Sequence, residues 1–186
     1  MKKKKWFLDF FVRYAILVII ALPGLWIFYS IFTPLTVYPT YLFLNIFYDV
    51  SILAGNILLI GGGNPILLID REIPIEFIKA CIAGSAYYLL MILNLATPKI
   101  KLRKRINMLL LAFAIFLSLN LLRIFLLSFL AISGSPYFDA THRLFWYSLS
   151  TIFVVAIWFA EVKLFRIREI PFYSDIKFLY NASLKK

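Results

Sequence analysis

Long apolar runs separated by short polar or basic segments form the dominant pattern along this chain. Three of the runs reach the roughly 20 residues that a helix needs to cross a bilayer, at positions 8–32, 107–131 and 143–164. A fourth run, 78–97, contains two tyrosines and an asparagine, but a strongly basic loop follows it directly. The pattern predicts an all-α integral membrane protein with about four transmembrane helices.

The stretch between the first and fourth runs is less apolar, which predicts a structure other than a spanning helix. Within 40–60, Asn45, Asp49 and Asn56 stand at i, i+4 and i+11, on one face of a helix. This polar stripe predicts an amphipathic helix at the outer interface. The alternative is a fifth spanning helix, at the cost of a carboxylate inside the bilayer. Glycines and a proline in 61–78 predict a short hairpin or an extended external segment.

The composition supports a membrane protein and excludes several other classes. Hydrophobic residues make up 63% of the chain, whereas soluble domains are about half apolar. The net charge of +11 would suit nucleic acid only on a soluble basic face, and here the charge is clustered, so no nucleic-acid partner is expected. One cysteine excludes an intrachain disulfide and a multi-cysteine zinc site. No metal or cofactor is expected.

Three basic clusters set the predicted orientation of the helices. They lie at 2–5, at 99–105 and at 163–186, and the positive-inside rule places all three in the cytoplasm. The helix at 78–97 then runs from the outside to the inside. Cys81 therefore lies at the external face.

We expect one transmembrane domain, 1–186, in the plasma membrane, with both ends in the cytoplasm. Residues 1–7 form its basic N-terminal segment and 165–186 its cytoplasmic tail. A signal peptide is the rival interpretation of the first apolar run. That run is too long for a signal core and has no clear small-residue cleavage site, so we expect a retained anchor. The external surface then includes the loop 133–142.

Arg123 is a candidate functional residue because a charge inside a spanning helix is costly. It lies 16 residues beyond Asn107, the start of its helix, which is about 24 Å along the axis. In a core about 30 Å thick this leaves it about 6 Å beneath the outer edge. Asn120 lies one turn earlier on the same face and is a candidate substrate-binding partner. The alternative is a snorkelling arginine that only anchors the helix.

Cys81 and His142 are the only cysteine and the only histidine, and the predicted topology puts both on the external face with Arg123. A thiolate attacks a carbonyl, and a nearby cation favours the thiolate. Histidine can carry the proton, while a guanidinium stabilises a developing oxyanion. The three are therefore predicted catalytic residues. Each residue taken alone has a simpler interpretation. A single cysteine is often a small buried hydrophobic residue, and an interfacial histidine often contacts a lipid headgroup.

Two further residues near the histidine are weaker candidates. Arg143 could bind a lipid phosphate or a substrate carboxylate, or serve as an ordinary interfacial anchor. Asp139 could orient His142, or serve as a turn residue.

The order and spacing of the three predicted catalytic residues resemble the archaeosortases and exosortases. These are multi-spanning membrane enzymes with a Cys in a small-residue context, an Arg in an Asn-x-x-Arg pattern and a His that opens the next helix. The matching stretches are Cys81 in ACIAGSAYY, Arg123 in NLLRI and His142 in THRLFWY, within about 60–165. The chain departs from the many members in which a small residue and then glycine follow the cysteine, since it reads Cys-Ile-Ala-Gly. Its short length is most similar to compact archaeal members.

The resemblance implies a cysteine-dependent protease or transpeptidase that processes exported proteins. Its partners would be C-terminal tails made of a short motif, a hydrophobic helix and a basic cluster. Cys81 would hold the cleaved protein as a thioester and pass it to an acceptor, for which a membrane lipid is expected.

Two non-enzymatic interpretations stand beside this one. A small-solute-binding subunit of a transporter would use polar residues in its outer half as ligand contacts and could dispense with Cys81. A scaffold subunit would use its polar residues only to satisfy one another. If the protein is a scaffold, Arg123→Lys should change its function little, because the charge is kept. Acyl transfer instead needs the planar guanidinium group, which lysine lacks.

Overall fold

The computed structural model describes most of the chain between residues 11 and 167, namely 11–12, 14–16, 18–19, 25–53, 63–98, 100–145 and 150–167. The described residues of 11–19 are helical. The longer helices are α1 (Trp26–Leu44), α3 (Gly84–Ala96), α4 (Leu102–Ile132) and α6 (Ser150–Leu164), and two short ones are α2 (Lys79–Ile82) and α5 (Phe138–Leu144). Three strands, β1 (Val50–Leu53), β2 (Ile66–Ile69) and β3 (Ile73–Glu76), lie between α1 and α2.

The strands form one antiparallel sheet in the order β1-β2-β3. Val50 pairs with Ile69 in the first ladder, and Ile66 pairs with Glu76 in the second. The hairpin β2–β3 lies inside 61–78, where the glycine and proline pattern predicted a hairpin or extended segment. Its turn places Asp70 and Arg71 in the left-handed region.

The predicted amphipathic helix at 40–60 is wrong in its described part, because α1 ends at Leu44 and β1 begins at Val50. The polar residues that suggested a helical stripe instead start the sheet. The side chain of Asn45 accepts a hydrogen bond from the Val50 N–H at 3.4 Å, and the Asp49 N–H donates to Asp70 at 2.9 Å. Local hydrogen bonding by Asn and Asp competes with helix in this way. The last residue of the stripe, Asn56, lies outside the described residues.

Helix α1 extends well past position 32, where the first spanning run was predicted to end, even though it contains Pro34 and Pro39. Proline removes a backbone donor, but membrane helices tolerate it where neighbouring groups satisfy the freed carbonyls. The Thr40 hydroxyl donates to the Thr36 carbonyl at 2.8 Å, next to the Leu35 carbonyl that Pro39 leaves without its helical donor. The predicted start of that run, at position 8, lies outside the described residues.

Aromatic rings join α1, α3 and α4 in the core. Phe32 of α1 stacks on Tyr87 of α3, with ring centroids 3.5 Å apart. Phe113 and Phe116 of α4 meet Tyr87 edge-on at 5.6 and 4.8 Å. Large rings at a three-helix junction explain part of the high aromatic content, since they fill space without flexible chains.

Three helical segments of the described chain are long and apolar enough to cross a membrane: Trp26–Leu44, Lys79–Ala96 and Leu102–Ile132. Their outward faces carry large apolar side chains, and Leu110 and Leu122 of α4 are 63% and 65% exposed. Extensive exposed apolar surface is rare on soluble monomers. The fold is therefore compatible with a membrane protein.

The predicted last span, 143–164, is described at 143–145 and 150–164. Helix α5 ends at Leu144, and α6 covers Ser150–Leu164. His142 lies in the last turn of α5.

The bundle has two distinct ends. The sheet end holds the strands, the start of α2, the end of α4 and α5, and is fastened by Phe43 stacked on Phe125 at 4.1 Å. The basic end holds the start of α4 and the end of α6, where Lys104 Nζ donates to the Phe165 carbonyl at 2.6 Å. Within the described residues, the hairpin and the loop 133–142, predicted to be external, thus lie at the opposite end from 100–105 and 163–167, predicted to be cytoplasmic.

Candidate active site

A half-open cavity of about 220 Å³ lies at the sheet end of the bundle. Cys81, Arg123 and His142 all line it. Three elements that are distant in sequence therefore deliver the three scarce side chains to one place. Its volume is below the roughly 300–1,000 Å³ of sites for drug-sized ligands, so it suits a narrow chain segment rather than a bulky cofactor.

Cys81 lies in the single turn of α2, just before a break in the helix. Its N–H donates to the Ile78 carbonyl at 2.8 Å, which begins the turn. Ala83 then adopts the left-handed conformation at φ 57°, and α3 starts at Gly84. A left-handed alanine costs on the order of 1 kcal/mol. The break leaves Cys81 on a short turn at the cavity wall, where its side chain is half-buried.

Gly84 explains how α3 approaches α1 directly after this break. A Cβ at this position would lie 2.8 Å from Cε1 of Tyr29, closer than side chains approach. The Tyr29 ring also has Lys79 Nζ 5.8 Å above its centroid. Glycine at the third position after the cysteine is thus required by the packing of this chain, which gives its Cys-Ile-Ala-Gly order a physical reason.

Asn120 contacts the cysteine through the backbone. Its side-chain amide donates to the Cys81 carbonyl at 2.9 Å, and only 2% of the residue is exposed. Asn120 is not among the residues that line the cavity. The structure therefore places the Asn120 amide on the backbone of α2 and does not bring it to the cavity wall.

Arg123 is 4% exposed and is held by α6 and the end of α5. Its Nη1 donates to the Ser150 hydroxyl at 3.2 Å, and that hydroxyl donates to the Phe145 carbonyl at 3.1 Å. The Phe145 ring lies 5.9 Å from the guanidinium carbon, within the range of a cation–π contact. Among the described residues, the buried Nε of Arg123 has no hydrogen-bond partner. The fork is thus fixed in direction and keeps a donor for a ligand.

Arg123 shares its helical face with the apolar wall of the cavity. Ile124, Leu127 and Ala131 line the same side, at spacings that keep side chains on one face of a helix. Arg123 is also close enough to Cys81 for the two side chains to interact electrostatically. The guanidinium is therefore placed to interact with a negative charge that develops at the Cys81 sulfur.

His142 reaches the cavity from α5, where its ring stacks on Phe138 at 5.6 Å. The stack holds the imidazole against the cavity wall, since both rings line it. Arg143 is exposed and does not line the cavity, so the structure does not bring it to the predicted substrate site. Asp139 is also exposed and borders a neighbouring depression rather than this cavity.

Two residues at the site were not among those predicted from the sequence. Glu76, five positions before the cysteine, lines the cavity, and its Oε1 accepts a hydrogen bond from the Asn64 amide at 2.6 Å. Ser150 holds Arg123 from a helix 27 residues further along the chain. The nearness of Glu76 to Cys81 was a usable signal, whereas a serine inside an apolar run gave none.

A second buried polar cluster, formed by Asn94, Thr97, Arg105 and Glu161, lies at the basic end. The Asn94 amide donates to Glu161 Oε2 at 3.0 Å. Arg105 donates to the Asn94 carbonyl through Nη1 and to the Thr97 carbonyl through Nη2, the latter at 2.8 Å. These bonds join α3, α4 and α6. Eighteen residues of α4, about 27 Å, separate Arg105 from Arg123, so this basic-end cluster serves the bundle rather than the cavity.

No group of three His, Cys, Asp or Glu side chains in the described ranges is placed to hold a metal ion. The cavity instead offers a thiol, an imidazole and a guanidinium. This set can carry out nucleophilic attack, proton transfer and oxyanion stabilisation.

Comparison of the chain with protein-family models, with curated proteins and with solved structures gives no match in any of the three.

Proposed function

We propose that the protein is a membrane-embedded cysteine transpeptidase that cleaves C-terminal sorting signals of exported proteins and transfers them to an acceptor such as a lipid. The single observation that carries the proposal is the meeting of Cys81, Arg123 and His142 in one cavity. The orientation that makes this cavity external rests on the three basic clusters and the positive-inside rule.

The first chemical step is attack of the Cys81 sulfur on the carbonyl carbon of the scissile peptide bond. The thiol proton passes to His142, and the developing oxyanion is stabilised by the Arg123 guanidinium. When the C–N bond breaks, the proton on His142 goes to the leaving amine. The products of this half-reaction are a thioester on Cys81 and a released tail.

The second half-reaction reverses the roles of the same groups. His142 takes a proton from an acceptor hydroxyl or amine, whose oxygen or nitrogen attacks the thioester carbon. Breaking the C–S bond returns the sulfur to Cys81, and His142 returns the proton to it. A half-open cavity at the membrane edge can admit a lipid headgroup as this acceptor.

The test begins with a protein from the same genome that ends in a short motif, a spanning helix and several basic residues. That protein carries an epitope tag before the tail and is expressed with the wild-type enzyme or with Cys81→Ala. We expect the tail to be lost only with the wild-type enzyme, seen as a faster band on an immunoblot. Equal processing by the two would contradict the proposal and leave the solute-binding and scaffold interpretations.

A further inference from the structure

We infer that β3 is a docking edge, on which an extended peptide substrate pairs as a fourth strand and so reaches Cys81. This inference rests on the proposed function and adds how the substrate is held. It starts from the wall of the cavity, in which the consecutive residues 74–78 take part along with Cys81. Five consecutive residues thus form one wall of the cavity.

The hydrogen-bond pattern of the sheet shows which backbone groups face the open side of β3. The Phe77 N–H donates to the Pro65 carbonyl at 2.8 Å, so the backbone groups of Phe77 point toward β2. Antiparallel pairing alternates along the strand. Ile73 and Ile75 therefore also bond toward β2, whereas Pro74 and Glu76 direct their backbone groups the other way.

The sheet order β1-β2-β3 leaves that other side of β3 without a further strand among the described elements. Pro74 stands where its missing N–H costs no ladder bond, as proline does on edge strands. The edge thus offers the Pro74 carbonyl and both the N–H and the carbonyl of Glu76. These groups are spaced to bind the backbone of one extended chain.

A single peptide fits this edge better than a second copy of the sheet. Ile124 and Leu127 of α4 and Phe138 of α5 form the facing walls, so the edge lies inside a cavity of about 220 Å³ rather than on a flat surface. There is room for one strand but not for a sheet beside it. The apolar walls can receive every second side chain of that strand, which is how β-strand addition obtains specificity.

Pairing along β3 also sets the direction of approach to the catalytic groups. The edge leads through Phe77 and Ile78 directly into the turn that carries Cys81. A peptide held at Glu76 therefore extends toward the thiol, and its next carbonyl lies between Cys81 and Arg123. Backbone pairing would bring sorting motifs of different sequence to the same position.

The test measures alkylation of the detergent-solubilised full-length protein, in which Cys81 is the only thiol. The probes are iodoacetamide and a peptide reagent, acetyl-Ala-Ala-Ala chloromethyl ketone. Two further versions of the peptide reagent each carry one N-methyl group, placed on one or the other of two successive amides. In each reaction a sulfur–carbon bond forms, halide leaves and the thiol proton goes to buffer. Rates are followed by intact-protein mass spectrometry.

We expect the peptide probe to react faster than iodoacetamide and N-methylation to slow it at only one of the two amides. The loss should be about five- to tenfold, the effect of one hydrogen bond, because successive amides point to opposite sides of a strand. Equal effects at both amides, or none, would overturn the inference while leaving Cys81 as a nucleophile. If neither reagent alkylates Cys81 in the folded protein, the proposed function fails as well.

A protein variant gives an independent measurement. Glu76→Pro removes the edge N–H and keeps an extended backbone, and Glu76→Ala removes the same carboxylate but keeps the N–H. We expect Glu76→Pro to lose most of the rate advantage that the peptide probe keeps in Glu76→Ala, with equal iodoacetamide rates in the two variants as the sign that the backbone change has not altered the fold. A change in oligomeric state with no change in alkylation would assign the edge to a second copy and overturn the inference.

Discussion

Arg123 shows at the level of one residue how this chain bears a charge inside an apolar helix. The guanidinium is almost completely buried, contacts a serine hydroxyl at 3.2 Å and faces an aromatic ring. These contacts compensate part of the desolvation cost and fix the plane of the fork. Fixed direction matters for an oxyanion, because donors act when they are preorganised.

Replacing Arg123 with lysine should lower processing by about 10²–10³-fold, the loss typical of one oxyanion donor. Lysine keeps the charge but cannot reproduce the planar fork held by Ser150. The tail-processing immunoblot measures the effect, and Arg103→Lys, an exposed position on the same helix at the basic end, is the control. Processing by Arg123→Lys at the wild-type level would favour a scaffold role.

At the scale of elements, the break between α2 and α3 is what separates the cysteine from a continuous helix. A left-handed Ala83 stops the first helical turn, and Gly84 lets α3 pack closely on Tyr29. The amide of Asn120 ties the same turn to α4. The cysteine is therefore positioned by one backbone conformation and two contacts, none of which involves its own sulfur.

Gly84→Ala should destabilise the protein by about 1–3 kcal/mol, since the added methyl overlaps the Tyr29 ring. This overpacking outweighs a gain in helix propensity of at most about 1 kcal/mol. In a Tyr29→Ala background the overlap is gone, so the same substitution should become neutral or stabilising. Thermal unfolding in detergent measures both cases, and an equal loss in the two backgrounds would show that the contact is not the cause.

At the scale of the whole molecule, the two ends of the bundle carry different polar features. The sheet end carries the cavity, and the basic end carries a buried polar cluster that joins three helices. Polar pairing inside a membrane bundle typically contributes about 0.6 kcal/mol per bond, and more where a buried group would otherwise be left alone. The basic-end cluster therefore holds the helices that frame the cavity.

Glu161→Leu should lower the stability of the bundle by about 1–3 kcal/mol, because the buried Asn94 amide loses a partner. Glu161→Gln keeps an acceptor oxygen of the same size and should lie much closer to the wild type. Unfolding followed by circular dichroism compares the two variants. A leucine variant as stable as the glutamine variant would mean that the Asn94 contact contributes nothing.

The sequence predicted the parts of this fold that depend on composition and turn chemistry. Apolar length indicated the helices at 78–97 and 107–131, and the glycine-rich stretch indicated the hairpin at 61–78. Prediction from the sequence failed where contacts between distant parts of the chain determine the local structure. Helix α1 continues past position 32, where the first run was predicted to end, and the pairing that makes 50–53 a strand involves residues 66–69, which no local pattern reveals.

The residues of the candidate site could be predicted from the sequence, but the contacts that hold them in place could not. Scarcity and topology singled out Cys81, Arg123 and His142, and the structure places them around one cavity. The partners that hold them come from distant elements, as with Ser150 on Arg123. Spacing along one helix suggested Asn120 as a substrate ligand, but its contact with the Cys81 carbonyl depends on how two helices pack.

The central claim is that the Cys81 sulfur forms a thioester with a cleaved protein tail, and mass spectrometry of the Cys81 peptide tests it most directly. The protein is acid-quenched shortly after synthesis of the tagged tail protein begins, and is then digested. The account predicts a Cys81 peptide enlarged by the new C-terminal fragment of the tail protein and restored by neutral hydroxylamine. Tail cleavage at the wild-type rate with an unmodified Cys81 peptide at every time point would contradict it.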